Sequence, residues 1–208
     1  RQNRYLLRQL CWIFTVQGIE TYILAPRDPA DSDLLVQSVR TAPNAGDLDL
    51  VVGVRGGIAS PDMCDGLTIP IVMFDQIYSF DRDSLVRAIP HPPNADAERF
   101  TAAAGEVFDR VHHLTDNAGA TDADRALNYL AVRYPGMYAA AANAFAANAS
   151  LTSIEVRSSP LSGVRNIVEV IFSFTNRASD VTEKQFVRVD VTEEFPFLVA
   201  KMSPYYDR

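Results

Sequence analysis

A strict period-two alternation between Leu151 and Met202 constrains this chain more than any other feature. In the stretch 166–175, Val168, Val170, Phe172 and Phe174 point one way, and Glu169, Ile171, Ser173 and Thr175 the other. In the stretch 185–192, Val187, Val189 and Val191 alternate with Arg188, Asp190 and Thr192. A period of two with charge on one face only predicts antiparallel strands laid on a core, their second face mostly wet. Ile154 and Val156 begin the pattern earlier, and Phe197 and Val199 extend it. Turn-forming breakers at Pro160–Gly163, Asn176–Asp180 and Glu193–Pro196 separate the runs, so a meander of about four strands follows.

Upstream, the apolar run Tyr5–Val16 passes through Gln17-Gly18 into Ile19–Ala25, which predicts a hairpin with a strand from Cys11 to Val16. Asp31 or Ser32 can cap a short helix through Arg40 that buries Leu35, Val36 and Val39. Leu48–Val54 and Ile69–Phe74 read as short strands covered on both faces, closed by Arg55-Gly56-Gly57 and by Asp75. If these strands pair, Arg55 and Asp75 meet at one sheet edge. Asp81 starts a short helix (Leu85, Val86, Ile89), and Pro90-His-Pro-Pro93 stops it.

The next region is helical. From Asn94 as cap, Phe100, Ala103, Ala104, Val107, Phe108, Val111 and Leu114 recur at three and four. Thr121 and Asp124 form a capping box with Asp in place of the usual Glu, ahead of a face of Leu127, Leu130, Ala131 and Tyr134. Pro135-Gly136 interrupts, and Met137–Ala147 is a third, alanine-dense helix striped by Tyr138, Ala141, Ala142 and Phe145. The fold class expected is α+β in a single domain. Residues 1–93 form a mixed sheet with short helices, 94–149 are helical, and 150–208 form an antiparallel sheet.

Charge narrows the partners. The net charge of −7 is concentrated in residues 61–150, with six Arg against twelve acidic residues. Phosphate contact relies on clustered Lys and Arg, so nucleic acid is not an expected partner. No run reaches membrane-span length. Two Cys, Cys11 in an apolar run and Cys64 in a loop, are read as separate thiols of a reducing, cytoplasmic setting. The chain starts at Arg1 without an initiator Met, which reads as a piece of a longer polypeptide.

Candidate chemistry is sparse. The histidines are His91, His112 and His113, without a C-x₂-C pair or an H-E-x-x-H motif. His112 and His113 are adjacent on a helix and project about 100° apart. Helical spacing offers only Asp109 with His113, or His112 with Asp116, and half a tetrahedral site needs ligands from elsewhere. His112 is expected at the core boundary beside Phe108, and His113 in solvent. No cofactor is expected; the alternative is a structural zinc ion involving His112, His113, Asp109 or Cys64. Cys64 lies between Asp62 and Asp65, whose carboxylates oppose thiolate formation, and neither it nor Ser60 has a local His. Gly53-Val-Arg-Gly56-Gly57 lacks the Lys-Ser/Thr of a phosphate loop and is read as a turn at a strand end. Glu193-Glu194 and Asp81 with Asp83 are read as solvated caps and turns.

Three stretches carry a family resemblance. They are Tyr22-Ile-Leu-Ala-Pro-Arg-Asp-Pro-Ala-Asp31, Pro70-Ile-Val-Met-Phe-Asp-Gln-Ile-Tyr-Ser-Phe80 and Thr182–Arg208. The last, with Phe186-Val-Arg-Val-Asp-Val-Thr-Glu-Glu-Phe-Pro-Phe197 and Ser203-Pro-Tyr-Tyr-Asp-Arg208, is the most specific. From about Tyr5 onward the chain is similar to the C-terminal domain of unknown function on the subtilisin-type proteases PatA and PatG of cyanobactin (patellamide) maturation. The resemblance implies an appendage of a multidomain protease in a pathway where a ribosomal precursor peptide is heterocyclised, cleaved and macrocyclised by other domains. It supplies no catalytic residues for this domain. It points to a non-catalytic recognition, docking or oligomerisation role. The expected partners are the parent protease's other domains, the precursor peptide, or a second copy packed through the third helix. The alternative is a zinc-binding or catalytic module acting on the precursor or macrocycle.

Overall fold

The computed structural model describes residues 4–7, 9–43, 46–89 and 97–206. Pro90–Pro93, His91 among them, and the Asn94 cap lie outside the described residues. The chain divides into two compact units, Arg1–Asp81 and Arg82–Arg208.

The first unit is built on a mixed sheet. After the single turn α1 (Arg4–Leu7) come β1 (Ile13–Val16) and β2 (Ile19–Pro26), then a 3₁₀ turn at Pro29–Asp31 and α2 (Ser32–Ser38). Two long strands follow, β3 (Asp47–Ile58) and β4 (Pro70–Asp81). The strand order is β1-β2-β4-β3: β1 and β2 are antiparallel, β2 runs parallel to β4, and β3 is antiparallel to β4. The hairpin turns at Gln17-Gly18 as the sequence implies, both residues taking positive φ (50° and 76°), the geometry a two-residue turn requires. The core of this unit holds Tyr22, Leu24, Val72, Phe74 and Leu35, and α2 packs on β4.

Several expectations for this unit change. Only Leu35 of the α2 stripe is buried, while Val36 and Val39 stand in solvent. The helix stops at Ser38, and Val39 is already extended, so it leaves the buried face. The two apolar runs lie at the starts of twelve-residue strands, and β3 is an edge strand exposed from Val54 to Ile58, not covered on both faces.

The second unit opens with α3 (Arg82–Ala88) and three longer helices, α4 (Ala97–Thr115), α5 (Asp122–Arg133) and α6 (Pro135–Ala146). Four strands complete it: β5 (Ala149–Ser158), β6 (Ile167–Asn176), β7 (Thr182–Asp190) and β8 (Phe197–Pro204). They form an antiparallel meander in the order β5-β6-β7-β8, as the alternation predicts. The α4 stripe from Phe100 to Val111 is buried, whereas Leu114 is exposed. The capping box forms: Asp124 N–H donates to Thr121 Oγ1 and Thr121 N–H to Asp124 Oδ2, both at 3.1 Å. Pro135 does not delay the third helix; it occupies the first turn, where its missing N–H costs nothing.

The helices cover the inner sheet face, α5 touching β6 and α6 touching β5 and β8. Val168, Val170, Phe172, Phe174, Val187 and Val189 are buried there. Ala141 and Ala142 are buried as well, and α6 packs against α4 within the unit. Tyr138 donates to Ala131 O at 2.7 Å, and burial pushes the pKa of its phenol above the usual value. At the α5–α6 junction Tyr134 turns to the sheet edge, its hydroxyl accepting from Met202 N–H of β8 at 2.9 Å. The structure is therefore α+β, with one mixed and one antiparallel sheet. Among the described residues no helix is long and apolar enough to cross a membrane.

Candidate functional site

The residues singled out for chemistry do not assemble. His112 stacks on Phe108, ring centroids 5.9 Å apart and planes within 8°, and its Nδ1 is buried without a hydrogen-bond partner. His113 and Asp109 are exposed on the same helix. This is the expected boundary and surface placement. Among the described residues no three His, Cys, Asp or Glu side chains group to hold a metal ion.

Cys64 offers no thiolate, because it is joined to Cys11 in a disulfide across 53 residues of sequence, with Cα atoms 5.5 Å apart. This corrects the reading of two separate thiols, and the compartment inferred from them loses its basis. The partners could not be read from spacing, because only the folding of the β3–β4 connection brings Cys64 to Cys11, two residues before β1. That connection runs through positive φ at Cys64, Asp65 and Gly66 (48°, 54° and 88°). The Ser60 hydroxyl lies 3.5 Å from Asp62 Oδ2.

The glycine run is neither phosphate loop nor turn. β3 continues through it, with register shifts on either side. A Cβ at Gly53 would lie 2.5 Å from Met73 O and 2.6 Å from Phe74 Cα. The residue is required by close backbone approach at a bulge. Arg55 and Asp75 do not meet: Asp75 pairs with Arg27 at 3.0 Å, and Arg55 lies over the Tyr22 ring at 6.0 Å.

The structure concentrates its charged and aromatic side chains elsewhere, on the outer face of the C-terminal sheet. Register places Arg157, Glu169 and Arg188 in one row across β5, β6 and β7. Glu169 is only 2% exposed. Its Oε1 accepts from Arg188 Nε (2.9 Å) and Ser159 Oγ (3.1 Å), and its Oε2 from Arg157 Nε (3.2 Å) and Nη2 (3.1 Å). Burial alone would raise this carboxyl, but the hydrogen bonds from Arg188, Arg157 and Ser159 outweigh it and hold it below the ordinary 4.5.

One position along, Asp190 is equally buried at 2%. It accepts from Arg165 Nε and, at 2.9 Å, from Thr192 N–H. Desolvation again opposes ionisation, and the bonds from Arg165 and Thr192 overcome it, so Asp190 too is lowered.

Aromatic rings lie under or against these cations. Arg157 sits over Tyr205 at 5.0 Å and donates to its hydroxyl at 2.7 Å. Arg188 lies over Phe186 at 4.7 Å, Arg165 over Phe197 at 5.2 Å and Lys184 over Tyr205 at 5.9 Å. Phe186 and Tyr205 meet edge to face at 5.7 Å. The second face of the sheet is therefore not mostly wet: Glu169, Ile171, Ser173 and Asp190 are buried. The signal present in the sequence was the clustering of Glu169, Arg188 and Asp190 on one face of neighbouring strands. The missing information was the roof that Arg157 and Tyr205, from the two ends of the sheet, build over them.

An α+β chain whose second unit lays a three-helix layer on an antiparallel meander, with an arginine–aromatic outer face, defines the class. The chain belongs to the PatG C-terminal family, whose model matches residues 94–205, more than half of its length. A solved structure described as a PatG domain of unknown function is similar with a TM-score of 0.70, over 98% of this chain and 83% of that one. At 20% identity that likeness is one of fold. No curated protein matches the chain.

Proposed function

We propose that the chain is a non-catalytic accessory module of a cyanobactin-type peptide-maturation protease, acting by recognition or docking. The observation that supports this reading is the fate of the carboxylates buried in the C-terminal sheet and of the two cysteines. Glu169 is held by Arg157, Arg188 and Ser159, and Asp190 by Arg165 and Thr192. Cys11 and Cys64 are consumed by each other. A catalytic acid, base or nucleophile needs an environment that leaves it poised to exchange a proton or attack; these groups are instead fixed in the ionised or bonded form. Such saturation builds a rigid surface. The partners this reading assigns are the parent protease's other domains and the precursor peptide.

Self-association through α6 has less to offer than its sequence suggests, since Ala141 and Ala142 are already buried within the unit. The disulfide weighs against a cytoplasmic location, and the oxidation state of Cys11 and Cys64 in the parent protein decides that point. The test of the function compares maturation by the parent protease with and without this module. It also titrates the chain against leader peptide, core peptide and protease domain in parallel. Binding to one of them, with slower maturation on deletion, is expected. Unaltered maturation without the module overturns the reading, as does turnover of a pathway peptide by this chain alone.

A further inference from the structure

We propose that the Cys11–Cys64 disulfide is a reversible redox clamp on the first unit, which a dithiol in solution opens to release the β3–β4 connection without dissolving the sheet.

The placement of the bond sets it apart from a staple of the core. Neither cysteine belongs to a strand: Cys11 precedes β1, and Cys64 begins the 3₁₀ turn Cys64–Gly66 between β3 and β4. Cys11 is exposed and Cys64 half-buried, so a thiol reaches the bond from solvent. The sheet is laddered without it, β1 on β2, β2 on β4 and β3 on β4, each through its own backbone hydrogen bonds. The bond ties together two points 53 residues apart and supports no strand pair directly.

The connection is the part that depends on it. Across residues 60–68 every side chain except Cys64 and Leu67 is exposed, so little apolar burial holds the segment. Its backbone is ordered by three short turns: Met63 N–H donates to Ser60 O at 2.9 Å, Gly66 N–H to Met63 O at 3.0 Å and Leu67 N–H to Cys64 O at 3.1 Å. Cys64 and Asp65 stand in the left-handed region, with φ of 48° and 54°, which a residue carrying a Cβ disfavours. The crosslink holds Cys64 there against that preference. A segment with few buried contacts opens locally at small cost, and cutting the bond frees this one from its fixed point at Cys11. The other end stays anchored, since the Trp12 carbonyl accepts from Leu24 N–H at 2.8 Å and Trp12 Nε1 donates to Leu7 O at 3.0 Å.

One dithiol completes the chemistry. A thiolate of the reductant attacks Sγ of Cys11, the more exposed sulfur; the S–S bond breaks, and Cys64 leaves as a thiolate that takes up a proton. The second thiol of the reductant then attacks the mixed disulfide, displaces Cys11 and closes the reductant's own disulfide. Two electrons and two protons pass to the protein. The chain has two Cys, so reoxidation within one molecule restores this pair and no other.

The test uses the whole 208-residue chain, equilibrated with reduced or oxidised dithiothreitol and no denaturant. Iodoacetamide labelling counts free thiols by mass, emission of Trp12, the sole tryptophan, follows the neighbouring bond, and amide exchange maps what loosens. Oxidised protein is expected to take no label and reduced protein to take one on each cysteine. Exchange within 59–69 should quicken about tenfold or more on reduction, with protection kept along β4 and in the C-terminal meander, and reoxidation should reverse it. The double variant Cys11→Ser/Cys64→Ser should show the fast exchange in either buffer. Thiols that label in air-oxidised protein overturn the proposal, as does a bond reduced only after denaturation or unchanged exchange at 59–69. Loss of protection throughout β1–β4 overturns it too, because the bond is then a staple of the whole unit.

Discussion

Substituting Glu169 by Gln isolates what the buried carboxylate contributes. The side-chain shape is retained, but one acceptor oxygen becomes an N–H₂ group facing an arginine. Among Arg188 Nε, Arg157 Nε and Nη2, and Ser159 Oγ, the donors on one side lose their acceptor and meet another donor. Removing one partner of a fully buried ion pair costs about 3–5 kcal/mol. The arginines here are 26% and 40% exposed and can turn to water, so the lower end, about 3 kcal/mol, applies. For a unit of this size that corresponds to a fall of about 10 °C in its melting temperature. Calorimetry resolves the transition, and a double-mutant cycle with Arg188→Gln should return a coupling above about 1 kcal/mol, since the two residues are in direct contact. A loss below about 1 kcal/mol, or additive single losses, would refute the claim that Glu169 organises this face.

Acidification acts on the same groups. Glu169 and Asp190 both have folded-state values below their ordinary 4.5 and 3.8, so their stabilisation is complete above those ordinary values and lost as pH falls through the lowered ones. Melting curves should therefore be flat near neutrality and drop steeply below about pH 4.5, with the drop blunted in Glu169→Gln. Thr121→Ala deletes the oxygen that caps α5 and should cost about 1 kcal/mol by chemical denaturation. Gly53→Ala forces a Cβ against Met73 O and Phe74 Cα. It should destabilise the first unit by more than about 2 kcal/mol, seen as faster amide exchange along β3 and β4. Replacing both Cys11 and Cys64 by Ala opens a loop of 53 residues and should cost about 4 kcal/mol on the chain-entropy account; a loss confined to the second unit would contradict the pairing.

The meander was legible because its alternation is local: each strand of 150–208 states which side chains face inward. The Thr121–Asp124 box was legible for the same reason, since both partners lie within one turn. What could not be read depends on distant segments. Parallel pairing of β2 with β4 and the joining of Cys11 to Cys64 are set by tertiary placement, and no spacing rule encodes them. Val36 and Val39 were assigned to a buried stripe by period alone, and α2 ends before the second can reach it. The outer-face site was obscured differently. Glu169 and Asp190 look like ordinary solvated positions until Arg157 from one edge strand and Tyr205 beyond the other are seen to cover them.

The hydroxyl of Tyr134 on the Met202 amide has a consequence for self-recognition. β8 ends the meander, and an open rim of amide and carbonyl groups invites a foreign strand to continue the ladder. Filling one mid-rim donor from within the molecule interrupts any such continuation and directs encounters away from open-ended polymer growth. Gly136 is a condition of that safeguard: a Cβ there would fall 2.6 Å from the Tyr134 ring carbon Cζ, so even Ala would displace the plug and leave the rim competent to recruit its neighbours.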